Sequence, residues 1–238
     1  MRKVIILIIL LGTYFSVSSQ SKFEKCGYNK VVDYYDSLFP DYREIVNDNY
    51  QAYLNSVNQG VVNLRANRES DYIIPVVFHV VYSDSIQNIP DSVILDQLQV
   101  LNEDFQRLNA DTVNLRDTFK TLVAAPKVGF KLADFDPDGN PTNGITRTET
   151  TELFGEGGGF FGPDIAEIED VKITVNGGHD SWDISQYLNI WICDMAAGGT
   201  PSILGYATPP ANLENWPAGS TDGMIDGVVL QYQLVGRN

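Results

Sequence analysis

Two cysteines and two histidines are the soft-metal and nucleophilic side chains of this 238-residue chain, and they are far apart. Cys26 lies in 22-KFEKCGYNK-30 and Cys193 ends 187-YLNIWIC-193. His79 sits inside 72-YIIPVVFHVVY-82, and His179 in 177-GGHDSWD-183. A zinc site needs three or four convergent His, Cys or carboxylate ligands. These histidines are one hundred positions apart with no H-x-x-x-H spacing. In an apolar strand His79 reads as a hydrogen-bonded core residue, and in a turn-like loop His179 reads as exposed. Cys26 has no histidine nearby, so the residues alone allow a free thiol or a long-range disulfide to Cys193.

The acidic loop 134-DFDPDGNPTNGI-145 offers a second chemistry. Asp134, Asp136, Asp138 and Gly139 match positions one, three, five and six of an EF-hand calcium loop. Position twelve is Ile145 where a bidentate Glu is needed, and the flanks read as strands. Ordinary turn chemistry accounts for the Asp, Asn, Gly and Pro content. There is no G-x-S-x-G nucleophile elbow, and 155-GEGGG-159 lacks the Lys-Ser/Thr of a phosphate loop. Taken alone, the residues assemble no catalytic site.

The elements that would position these groups are legible from periodicity. VVDYYDSLF reads as a short helix ended by Pro40. From Asp41, Tyr42, Ile45, Val46, Tyr50, Tyr53, Leu54 and Val57 recur at three- and four-residue steps, predicting a longer amphipathic helix. The polar 58–71 stretch reads as a linker. The run 72–82 is apolar on both faces, as in a strand buried within a sheet. In 90–109, Ile94, Leu98, Leu101, Phe105 and Leu108 predict a helix capped by Asp91 or Ser92. Residues 128–135 and 144–150 read as strands joined as a hairpin, and 155–163 as a flexible loop. Further strands are expected at 187–193, 203–207 and 227–232. Strands interleaved with one strong helix imply an α+β (α/β-like) sandwich.

The first residues address the compartment. Arg2 and Lys3, the apolar run Val4 to Leu11 and the small residues of SVSSQ form a signal peptide cleaved after Ser19. The apolar run is far short of the ~20 residues of a membrane span, and no later segment is long enough, so the protein is expected to be soluble and secreted. No cysteine at the cleavage site argues against a lipid anchor. About 219 residues then remain, with 14 basic against 31 acidic side chains. Such acidity disfavours nucleic acid, whose affinity depends on Lys and Arg contacts to phosphate.

Several blocks, in order, resemble the pappalysin (cytophagalysin) family of metzincin zinc peptidases. They are 74-IPVVFHVVY-82, 97-QLQVLNEDFQRLN-109, 136-DPDGNPTNGITRT-148, 177-GGHDSWDISQYLNIWIC-193, 204-LGYATPP-210 and 226-DGVVL-230. The early 25-KCGYNKVVDYYDSLFPDYRE-44 resembles the family's pro-segment. This implies a signal peptide at 1–19, a helical pro-segment at 20–60, a linker at 61–71 and, at 72–238, the upper subdomain of a metzincin catalytic domain: a mixed twisted sheet with packed helices.

The resemblance implies a secreted zinc endopeptidase made as a latent precursor, acting on protein or peptide substrates through zinc-activated water. The family's H-E-x-x-H-x-x-G-x-x-H motif does not occur here, so no catalytic residue is expected within the chain, which reads as an inactive N-terminal fragment. Cys26 is implied as the thiolate that holds zinc's fourth position in the precursor, with Gly27 permitting close approach and Lys25 favouring the thiolate. Cys193 is implied to pair with a cysteine beyond Asn238, or to be buried. Calcium is an expectation for the missing half. The alternative is a non-catalytic secreted binding or adhesion module that retains the sheet.

Overall fold

The long strand β1, Tyr72–Tyr82, organises the protein because both of its edges are used. The structure, a computed structural model, describes residues 26–59, 72–120, 123, 125–155, 164–196, 203–208 and 225–237. The expected signal peptide, the expected linker 61–71 and most of the Gly-rich 155–163 stretch lie outside them.

On one edge β1 pairs twice. Its first half runs parallel to β2 (Val128–Leu132), and its second half parallel to β3 (Ile145–Glu149). On the other edge come β4 (Leu188–Cys193), β6 (Gly227–Gln231) and β5 (Gly205–Thr208). All pairs are parallel except β5 with β6, which is antiparallel. The hairpin expected over 128–150 is therefore corrected. The acidic loop does not reverse the chain but returns it to the same edge of β1. Ala133 N–H donates to Val76 O, and Phe78 N–H donates to Gly144 O, on either side of the excursion. Gly144 closes its base at φ +70, where a Cβ would lie 2.8 Å from Ala133 N. Backbone in that left-handed region excludes most L-residues.

The continuous apolar run of β1 is explained by cover on both faces. Val76, Phe78 and Val80, with Ile190 and Ile192 of β4, pack on helix α3 (Asp91–Gln106) through Ile94, Leu98 and Leu101. The alternate residues Val81, Trp191 and Cys193 face a second core. That core is completed by the N-terminal helix α1 (Tyr28–Leu38) and a short helix α5 (Ile165–Glu169), which sequence periodicity did not predict. Helix α4 is the four-residue turn Asp117–Lys120. Helix α2 (Tyr42–Asn58) follows α1 as expected.

Helix α3 is capped differently from expectation. Its N-cap is Pro90, with no side-chain cap bond. The Asp91 carboxylate instead accepts a hydrogen bond from Arg147 on β3. At the other end of the sheet, Asn102 on α3 exchanges bonds of 2.8 and 2.9 Å with the backbone of Phe130. Those bonds satisfy peptide groups on the unpaired side of edge strand β2, which would otherwise invite another strand.

Candidate functional site

Among the described residues strand β5 pairs with β6 on one edge only, and the chain's own N-terminal segment meets the other at Gly205. Cys26 bridges Gly205 in parallel register, and Gly27 N–H donates to Gly205 O at 3.0 Å. Gly27 matters here because the approach is close: a Cβ at this position would lie 3.0 Å from Ile203 Cγ2 and 3.4 Å from Tyr206 Cβ. The Cys26 thiol is free and exposed at the start of this pairing. Lys25, expected to support the thiolate, lies outside the described residues.

Immediately after this contact the chain enters α1, whose Val31, Val32 and Tyr35 form one helical face and are almost wholly buried. They meet Ile165 and Ile168 of α5, Ile203, and Tyr206 of β5 within one core. At its centre is the buried carboxylate of Glu169. Oε2 accepts the Tyr35 hydroxyl at 2.7 Å, and Oε1 accepts the Tyr206 hydroxyl at 2.6 Å. Lys172, fully buried, lies 2.9 Å from Oε1 and 3.2 Å from Oε2. Its ammonium also donates to Ile225 O at 2.9 Å and sits over the rings of Trp191 and Tyr206.

A buried ion pair is tolerable only when its remaining hydrogen-bonding capacity is satisfied, and here it is. Burial, then the adjacent Glu169 charge, pushes the hydroxyls of Tyr35 and Tyr206 above the ordinary tyrosine range. Both therefore remain donors at any physiological pH. Burial pulls Lys172 below its ordinary value, opposed by Glu169.

The two histidines are brought together, which their spacing concealed. Their rings stack at 4.3 Å. His79 is a core residue, as expected: Nε2 bonds Asn189 Oδ1 at 2.9 Å, and Nδ1 bonds Thr146 Oγ1 at 2.8 Å. Burial pulls it down to about 3, with a smaller opposing effect from the Asn189 bond. His179 is half-buried rather than exposed, and its carbonyl accepts the Trp191 indole N–H at 2.8 Å. With both His79 nitrogens engaged, this pair is a packing unit. Among the described residues no group of three or more His, Cys, Asp or Glu could hold a metal ion. The described residues thus do not form a zinc site, and among them Cys26 supplies one exposed thiol.

In the acidic loop, Asp136 accepts from the backbone N–H groups of Asp138 and Asn140, while Asp134 pairs with Lys131. These are turn bonds, with carboxylate oxygens directed at the loop's own amides. Cys193 is buried at the end of β4 with a free thiol, which burial makes hard to ionise. Sequence reasoning missed Glu169, Lys172, Tyr35 and Tyr206. The available signal was a charged pair at i, i+3 set among Ile165, Ile168 and Val171, an apolar helical face that carries two charges.

The fold and identities relate this chain to solved peptidases. Mature mirolysin of Tannerella forsythia, in complex with a cleaved peptide, is 42% identical with a TM-score of 0.59, covering 72% of this chain and 56% of its own. These comparisons support the metzincin class. Mirolysin in complex with compound 9 matches equally well at 42% identity and a TM-score of 0.58, over 72% of this chain and 56% of that one. A Tannerella forsythia promirolysin variant is 37% identical with a TM-score of 0.64, covering 90% of this chain and 62% of its own. The chain therefore spans less than two thirds of these relatives' length. No protein-family model and no curated protein sequence matches it. Among the described residues no helix is long and apolar enough to cross a membrane.

Proposed function

We propose that this chain carries the latency segment and the sheet half of a secreted zinc endopeptidase. The observation that carries the reading is the pairing of Cys26 and Gly27 with the otherwise open edge of β5. An open edge strand is the surface on which an extended peptide adds by main-chain hydrogen bonds. Here the protein's own segment, with a free thiol at its head, already holds that surface.

Coverage by the relatives supports the division at residues 61–71. Coverage of this chain rises from 72% against the mature relative to 90% against the pro form. Helices α1 and α2 are then the body of the latency segment, and Cys26 is the residue it presents toward the metal. Zinc would supply Lewis-acid activation of water, with histidines that this sequence does not contain. What this chain contributes is substrate-strand recognition at β5 and its obstruction. The alternative is a secreted binding or adhesion module that keeps the sheet without catalysis.

Two measurements separate the readings. The coding sequence downstream of Asn238 is expected to contain H-E-x-x-H, and the full gene product to hydrolyse peptides in a chelator-sensitive way. Absence of both outcomes overturns the peptidase reading in favour of the binding module.

A further inference from the structure

Helix α1 does more than follow Cys26; it is seated in a receptor that the rest of the protein builds without its help. Glu169 has three side-chain partners, Tyr35, Tyr206 and Lys172, and only Tyr35 comes from the N-terminal segment. Tyr206 and Lys172, which aim and charge-pair the carboxylate, both belong to the main body. The apolar wall of Ile165, Ile168 and Ile203 likewise belongs to the main body. Into it fit Val31 and Val32, which are 0% and 4% exposed, beside Tyr35 at 1%. The arrangement has the anatomy of a binding hot spot: a large aromatic anchor, a satisfied polar tip and a surrounding apolar seal.

We infer that this surface is a docking site for the chain's own N-terminal segment as a separate piece. Cutting the chain between Gln59 and Tyr72 therefore does not by itself release it. The Tyr35–Glu169 bond is the clasp, and a preorganised acceptor lowers the ordering cost of rebinding. Opening β5 would then need a second event, such as destruction or competitive displacement of the segment. The inference deepens the latency reading above, but its test reads binding alone, so its failure is separable from failure of the peptidase reading.

The test places a specific protease site between Gln59 and Tyr72 of the full chain, cuts it under native conditions and measures association of the two pieces. At about 10 µM the pieces should co-elute on size exclusion, as a hot-spot contact with a charged hydrogen bond allows. Tyr35→Phe, which removes only the hydroxyl, should weaken association by roughly tenfold to a hundredfold. Val32→Ala provides an independent reading through lost apolar burial, with a loss of roughly tenfold. Tyr50→Phe, on the exposed side of α2, should leave association unchanged. Separation of the native pieces on the column overturns the docking site. Unaltered association of Tyr35→Phe overturns the clasp.

Discussion

The hydroxyl of Tyr35 reaches the carboxylate of Glu169 at 2.7 Å across 134 residues of sequence, joining helix α1 to the short helix α5. On the opposite oxygen, Tyr206 of β5 holds the same carboxylate at 2.6 Å. One buried acid therefore ties together helix α1, strand β5 and, through Lys172, the core beneath them.

Neutralising that acid should be costly. Glu169→Gln would leave the buried Lys172 ammonium with only the Asp226 charge nearby, and breaking such a pair from one side typically costs about 3–5 kcal/mol. Urea unfolding at neutral pH reads this directly. A variant within about 1 kcal/mol of native would show that the pair is not intact in the folded protein.

Gly27→Val should loosen the start of the segment from β5 without unfolding the sheet. A Cβ there meets Ile203 at 3.0 Å, and branching worsens the contact. Hydrogen exchange at the amide of residue 27 should accelerate by roughly tenfold or more, because its bond to Gly205 O is local. Protection equal to the native protein's would count against the pairing.

His79 should make the fold acid-sensitive. Its folded value of about 3 lies below the ordinary 6.5, so the unfolded chain takes up a proton that the folded one refuses. Stability from this group is intact above 6.5 and falls as pH drops toward 3, by about 1.4 kcal/mol per pH unit. His79→Gln should show a shallower slope between pH 4.5 and 6.5 in denaturant titrations. Equal slopes would contradict the assignment.

Gly144→Ala should destabilise by about 1–3 kcal/mol, since it combines left-handed backbone with a Cβ only 2.8 Å from Ala133 N. Thermal unfolding checks it. A neutral result would mean that the loop base can relax.

What sequence periodicity conveyed, and what it did not, follows from the range of the interactions. The run 72–82 read as a doubly covered strand and is one, because burial on both faces leaves a local apolar signature. The α3 stripe was legible for the same reason, with Ile94, Leu98 and Leu101 on the sheet side. The hairpin reading failed because turn-forming residues report a turn but not which strand the chain pairs with afterwards. Gly144 returns the chain to β1, a partner more than sixty residues upstream. Cys26 and Gly27 were identifiable from their types and resemblance, whereas their seat on Gly205 required the fold. Glu169 and Lys172 drew no reading from sequence, because only tertiary packing makes this i, i+3 pair the buried centre of the site.

The central claim is that the segment headed by Cys26 holds a peptidase latent, and one measurement addresses it most directly. Chelator-sensitive peptide hydrolysis is followed over time in the full gene product, native and Cys26→Ala, before any cleavage between Gln59 and Tyr72. The account predicts negligible early activity in the native protein and early activity in Cys26→Ala, with equal zinc content in both. Equal zinc with no early activity in Cys26→Ala would contradict it.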